Sequence, residues 1–161
     1  MTRLYGRAPR GQRARESVPR NYGSQTSIIS AVSLEGAEAT MTVEGAVDTD
    51  TFDAYSAPVL RPTLRRGDVL VLDNLSAHRA SQLEAVAAEC GAQGLWLAPY
   101  SPDFSPIELL WSKRQTAVRA GKARTAQELN AALVAGLPLG TRADCCGWFS
   151  HCGYQVTRIC N

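Results

Sequence analysis

Apolar residues recur along this chain with two periods, and the switches between them mark its elements. Residues 1–23 keep neither period. Gly6, Pro9, Gly11, Pro19 and Gly23 interrupt them, which predicts an extended or looping arm with at most a short strand at residues 2–5. From residue 24 the pattern settles. β-Branched side chains crowd residues 26–34 and 38–47 around a Glu35-Gly36-Ala37 turn, which predicts a β-hairpin. Residues 49–64 space Phe52, Tyr55, Val59, Leu60 and Leu64 as a helix does, but Pro58 removes an interior hydrogen bond and predicts a kink there. After Gly67-Asp68, residues 69–72 form an unbroken apolar run. Such a run predicts a strand covered on both faces, with Asp73 at its carboxyl end, where open α/β sheets place their ligands.

The second half reads as helices around one more strand. Ser81 and Glu84 predict a capping box for a helix carrying Leu83, Val86, Ala87 and Cys90 inward and ending at Gly91. A short strand follows at residues 95–97. Ser105 predicts the cap and Pro106 the first position of the next helix, with Ile107, Leu110, Trp111 and Val118 as its inward stripe. Thr125 and Glu128 box another start, ahead of Leu129, Ala132, Leu133 and Gly136. A last short helix begins near Thr141 and carries Trp148 and Phe149. The order is hairpin, helix, strand, helix, strand, helices, and the class is α/β.

A chain of 161 residues fits one domain able to bury a sizeable core. Its net charge of +2 conceals an asymmetry. Arg3, Arg7, Arg10, Arg13, Arg15 and Arg20 oppose Glu16 alone within residues 1–20, so a basic arm precedes a mildly acidic body. Such an arm suits the DNA backbone, though a solvated terminus has the same composition. No run approaches the ~18 apolar residues of a membrane span. Five cysteines, an odd count with Cys145 and Cys146 adjacent, argue against a disulfide framework and for a reducing cytosol. Cys145, Cys146, His151 and Cys152 match no standard zinc spacing, so these thiols are expected to be filler.

The chemistry-bearing residues are two carboxylates. Asp73 ends the strand at residues 69–72 and Glu108 lies in the first turn of a helix, with enough chain between for one helix, one strand and a loop to bring them together. Hard oxygen ligands of this kind suit Mg²⁺, and a metal pair can activate water or a 3′-hydroxyl against a phosphodiester. Each also has a plainer role. A strand-final Asp often accepts backbone bonds of the following turn, and Glu108 stands where a capping box with Ser105 would use it. Trp111 is expected in the core, Asp103 in a turn. Lys113, Arg114, Arg119, Lys122 and Arg124 form a basic run that is either a solvated face or a phosphate contact.

The segments LVLDN, with His78 five residues after Asp73, and APYSPDFSPIELLW together resemble the mariner-type DDE transposases, in particular their bacterial insertion-sequence branch, and the likeness extends from MTRLYGRAPRG onward. The resemblance implies a ribonuclease H-like mixed sheet flanked by helices, with residues 1–23 a basic extended arm and residues 24–161 a partial catalytic domain. It implies Asp73 and Glu108 as catalytic and metal residues with Mg²⁺ or Mn²⁺, supported by Asn74 and His78. Double-stranded DNA at transposon ends and target is the implied partner, contacted through Arg3, Arg7, Arg10, Arg13, Lys113, Arg114, Arg119 and Lys122. A homodimer or a full-length transposase is a further implied partner, and the bacterial cytoplasm, on the nucleoid, the implied place.

The chain departs from that pattern in one respect. The family's first catalytic Asp lies on a strand just before the segment matching Met1 to Leu4, so the expected domain lacks its first strand and first acid. By resemblance that strand lies mid-sheet, between the hairpin and the Asp73 strand. The expected function is thus the catalytic portion of a transposase, incomplete and inactive alone. Two other readings stand beside it: a non-catalytic DNA-binding remnant that interferes with a full-length transposase, and a structure-selective nuclease.

Overall fold

The computed structural model describes residues 6–15, 25–75, 82–123 and 125–156. The expected strand at residues 2–5, the cap at Ser81, and Arg3, His78 and Arg124 lie outside them. Residues 6–15 are exposed throughout and form no helix or strand; a turn at Gly11 (φ +85°) is closed by Gln12 N–H donating to the Pro9 carbonyl at 2.9 Å.

The hairpin forms from β1 (Thr26–Ser33) and β2 (Gly36–Glu44), antiparallel, with Ile29 opposite Met41. The register shifts between Ile29 and Ala31, where Ala39 takes a left-handed backbone (φ +46°). A bulge there leaves Ser30 Oγ to bond Thr40 Oγ1 at 2.7 Å. β2 starts earlier than the β-branched run suggests. Gly36, at φ +142°, supplies the turn and the first strand residue together.

The helix expected over residues 49–64 divides at its proline. α1 (Thr49–Tyr55) is capped by Asp48, whose carboxylate accepts from Thr51 N–H at 2.9 Å. A π turn (Ser56–Leu60) and a 3₁₀ turn (Arg61–Thr63) follow. Pro58 has no N–H to offer the carbonyl one turn back, so the ladder changes register instead of continuing.

β3 (Val69–Leu72) and β4 (Gln93–Trp96) pair in parallel, joined through α2 (Leu83–Glu89). α2 departs from its expected start. Its cap position is Gln82, which makes no side-chain cap bond; Gln82 N–H donates to Asp53 at 2.7 Å, and Glu84 accepts from Trp96 Nε1 at 2.7 Å. Glu84 therefore ties α2 to β4, and the expected box with Ser81 lies outside the described residues. The pair is less covered than an unbroken apolar run predicts: Leu72 is buried, but Val69 of β3 is 57% exposed and Leu95 of β4 is 50% exposed.

α3 (Pro106–Gly121), α4 (Ala126–Gly136) and α5 (Arg142–His151) complete the chain. The Thr125–Glu128 box is present, and Thr141 with Asp144 makes a second one at α5. An apolar core cluster of Ile29, Phe52, Tyr55, Leu60, Leu72 and Leu83 joins β1, α1, β3 and α2. Leu110 and Val118 of α3 and Cys145 of α5 are buried as well. Cys90, Cys145 and Cys152 are free thiols, but Cys146 is disulfide-bonded, which corrects the expectation of filler alone.

Among the described residues the four strands make two separate two-stranded sheets, β1–β2 and β3–β4. β1 and β3 face each other across a cleft of about 380 Å³.

Candidate active site

Asp73 leaves the carboxyl end of β3 and is exposed. Its Oδ1 accepts the Leu75 N–H at 3.2 Å, so the turn-forming role that any strand-final Asp can take is made here. That bond uses one lone pair of one oxygen. A carboxylate has further acceptor sites for a cation.

Glu108 reaches the same cleft from the other side. A 3₁₀ turn (Pro102–Phe104) leads into α3, and Tyr154 Oη holds it by donating to the Phe104 carbonyl at 2.7 Å. Tyr154 also meets the Phe149 ring edge-on at 5.6 Å. Pro106 is buried at the first helical position, where its missing N–H costs nothing. Ser105 takes the cap position by backbone alone, with no side-chain cap bond. The capping box is therefore not made. Glu108 is exposed in the first turn, where the helix dipole favours negative charge.

Asp73 and Glu108 thus line one cleft, with half-buried Asn74 following Asp73 in sequence. Both are hard oxygen donors at the rim of a solvent-reached cleft, the kind of side chain that Mg²⁺ or Mn²⁺ takes beside water and phosphate. Among the described residues no cluster of three or more His, Cys, Asp or Glu side chains could hold a metal. Asp103 lies in the 3₁₀ turn, as the sequence suggests.

The basic run on α3 does not form one solvated face. Arg114 is 5% exposed, stacks its guanidinium 5.5 Å from the Trp111 ring centroid and donates to Ser30 Oγ at 3.4 Å. Burial pulls its pKa below the usual guanidinium range. Lys113 pairs with Asp144 at 2.6 Å and lies 5.9 Å from the Trp148 ring. Arg119 is half-buried beside Gln115, and Lys122 is exposed in a left-handed backbone (φ +50°) at the end of α3. Trp111, expected in the core, is half-buried and lines the cleft.

Tyr55 and Tyr154 are the residues that sequence reasoning missed. Tyr55 lines the cleft at 2% exposure, its hydroxyl has no hydrogen-bond partner among the described residues, and burial raises its pKa. Its helical spacing marked it as core, and nothing in the pattern signals an unsatisfied hydroxyl. Tyr154 lies beyond the last expected helix and carries no local motif.

No curated protein matches the chain. The family model described as DDE superfamily endonuclease matches residues 1–130, which include both carboxylates of the cleft, β1 to β4 and all of α3. A match over most of the chain, on the segment that builds the cleft, makes this protein a member of the DDE superfamily endonucleases.

Proposed function

We propose that this chain is the catalytic-domain portion of a bacterial mariner-type transposase of the insertion-sequence branch, with a ribonuclease H-like arrangement, acting on double-stranded DNA at transposon ends. The observation that carries the reading is the meeting of Asp73, at a parallel strand's end, and Glu108, at a helix's first turn, on one cleft. A bound Mg²⁺ or Mn²⁺ pair supplies activation of the attacking oxygen and stabilisation of the leaving one. Asp73 and Glu108 would hold it, and the α3 N-terminus favours a phosphate beside them. Asn74 and His78 take supporting roles. The exposed Arg7, Arg10 and Arg13, together with Arg3, Arg119 and Lys122, are the proposed phosphate contacts, whereas Arg114 is buried and Lys113 ion-paired.

The test is Mg²⁺- or Mn²⁺-dependent cleavage of labelled transposon-end DNA by the protein and by its Asp73→Ala and Glu108→Ala variants. Cutting is expected to be lost on either substitution. Cutting that survives both substitutions sinks the site.

A further inference from the structure

The loop from β4 to α3, residues 97–105, supports an inference about how a DNA strand is held at the cleft, and the inference rests on the DNA reading above. The loop is fastened near both carboxylates. At one end Leu97 N–H donates to the Leu72 carbonyl at 2.8 Å, one residue before Asp73. At the other, Ser105 N–H donates to the Pro102 carbonyl at 2.9 Å and Tyr154 holds the Phe104 carbonyl, so the turn passes directly into the helix that carries Glu108. Tyr100 stands between these fastenings, flanked by Pro99 and Pro102, whose fixed φ leaves the loop few alternatives.

Folding gives no reason for that side chain. Tyr100 is fully exposed, so a ring that dominates core energetics elsewhere adds nothing to the core here. Its backbone is left-handed, at φ +59°, a conformation that a residue other than glycine adopts at a cost. Glycine or asparagine would make the same turn without strain and without an exposed ring. Phe104, in the same loop, is 56% exposed. Neither ring lines the cleft that holds Asp73 and Glu108, so both are clear of the reacting phosphate and placed for the nucleotides next to it. The exposed arginines of residues 6–15 suit phosphates. An uncharged ring suits the face of a base, and a base offers its face once it is unpaired and out of the stack.

We propose that Tyr100 is a base-stacking residue, whose ring packs on an unpaired base next to the phosphodiester held at Asp73 and Glu108. It touches no reacting atom and is a positioning residue for that strand. The contact is tolerant of sequence, because every base has a π face.

The probes are two fluorescein-labelled duplexes of equal length and phosphate number, one with a four-nucleotide thymine overhang and one with the same overhang made abasic. Affinities are read by anisotropy with the full chain, without divalent metal so that no cleavage intervenes. The parent is expected to bind the base-bearing overhang roughly fivefold or more tightly than the abasic one. Tyr100→Ala is expected to erase that preference while leaving affinity for the abasic duplex, the salt slope and the urea midpoint unchanged, and Tyr100→Phe to keep it. A merely structural role would move both duplexes together, and the double-mutant cycle of ring and bases separates the two cases. A preference that survives Tyr100→Ala overturns the proposal, and so does its loss on Tyr100→Phe, since the hydroxyl and not the ring face would then make the contact. Steeply salt-dependent binding by the parent that ignores the bases overturns the stacking alone and leaves the DNA reading standing, whereas no binding of either duplex overturns both. Sedimentation that shows self-association abolished by Tyr100→Ala also overturns it, because the ring then serves a second copy of the chain.

Discussion

At the scale of single residues, two side chains carry energies that the sequence does not announce. The Tyr55 hydroxyl is buried without a partner among the described residues, and such a group costs about 1–3 kcal/mol. Tyr55→Phe keeps the ring packed against Phe52, 5.7 Å between centroids, and removes the orphan. The variant is expected to unfold about 1 kcal/mol later than the parent in urea, read as a shift of midpoint at unchanged slope. Asp144 is the second case. The Lys113 ammonium, then the Thr141 hydroxyl and amide, hold its carboxyl down to about 2. Its pKa is depressed on folding, so its contribution is complete above the unfolded value of about 3.9 and is lost as pH falls from there through 2. Lys113 is 40% exposed, which screens the pair and leaves about 1 kcal/mol for it and the cap together. Asp144→Asn is expected to flatten stability against pH within that window and to leave it unchanged in shape at neutral pH. Urea midpoints at a series of pH values check this.

Among the elements, the connection that positions Glu108 depends on a distant one. The turn before α3 is tied by Tyr154, from beyond α5, through a single hydrogen bond to the Phe104 carbonyl. Tyr154→Phe keeps the Phe149 contact and removes that tie. It is expected to cost about 1 kcal/mol and to speed exchange of the amides in residues 104–105 ahead of the rest of the chain. Uniform acceleration across the chain would show that the tie serves overall stability and not this turn. α3 itself shows how an element's register decides a residue's fate. Leu110, Arg114 and Val118 recur every four residues and all turn inward, so Arg114 belongs to the buried stripe despite its basic neighbours.

For the whole molecule, charge is uneven. Net charge is only +2, yet Arg7, Arg10, Arg13 and Arg15 are all exposed within residues 6–15. DNA binding through them is expected to be largely independent of sequence and steep in salt, since each neutralised phosphate adds about 0.9 to the slope of log affinity against log salt. Replacing Arg7, Arg10 and Arg13 with alanine is expected to lower that slope by about 2–3, whereas Arg114→Ala costs stability and leaves the slope alone. Anisotropy titrations across a salt series measure both. A slope that does not change on removing the three arginines would exclude the arm from the interface.

The sequence by itself determined the elements and the positions of the two carboxylates. Hairpin, kinked helix, two further short strands and three C-terminal helices follow from periodicity, from Pro58 and Pro106, and from the Thr125–Glu128 box, because each is a local rule acting within a few residues. Asp73 and Glu108 were legible through their place at element ends and through the motif around them, though the sequence could not show that Asp73 makes its turn bond while Glu108 makes no cap. Tertiary structure alone decided three matters. It buried Arg114 against Trp111 and Ser30, and so removed it from the solvated charges. It tied Glu84 of α2 to the Trp96 indole of β4. It set β1 and β3 on two sides of one cleft, which Tyr55 also lines. In each case the deciding contact joins groups far apart in the chain, or depends on whether two surfaces meet at all, and local periodicity carries no information about either.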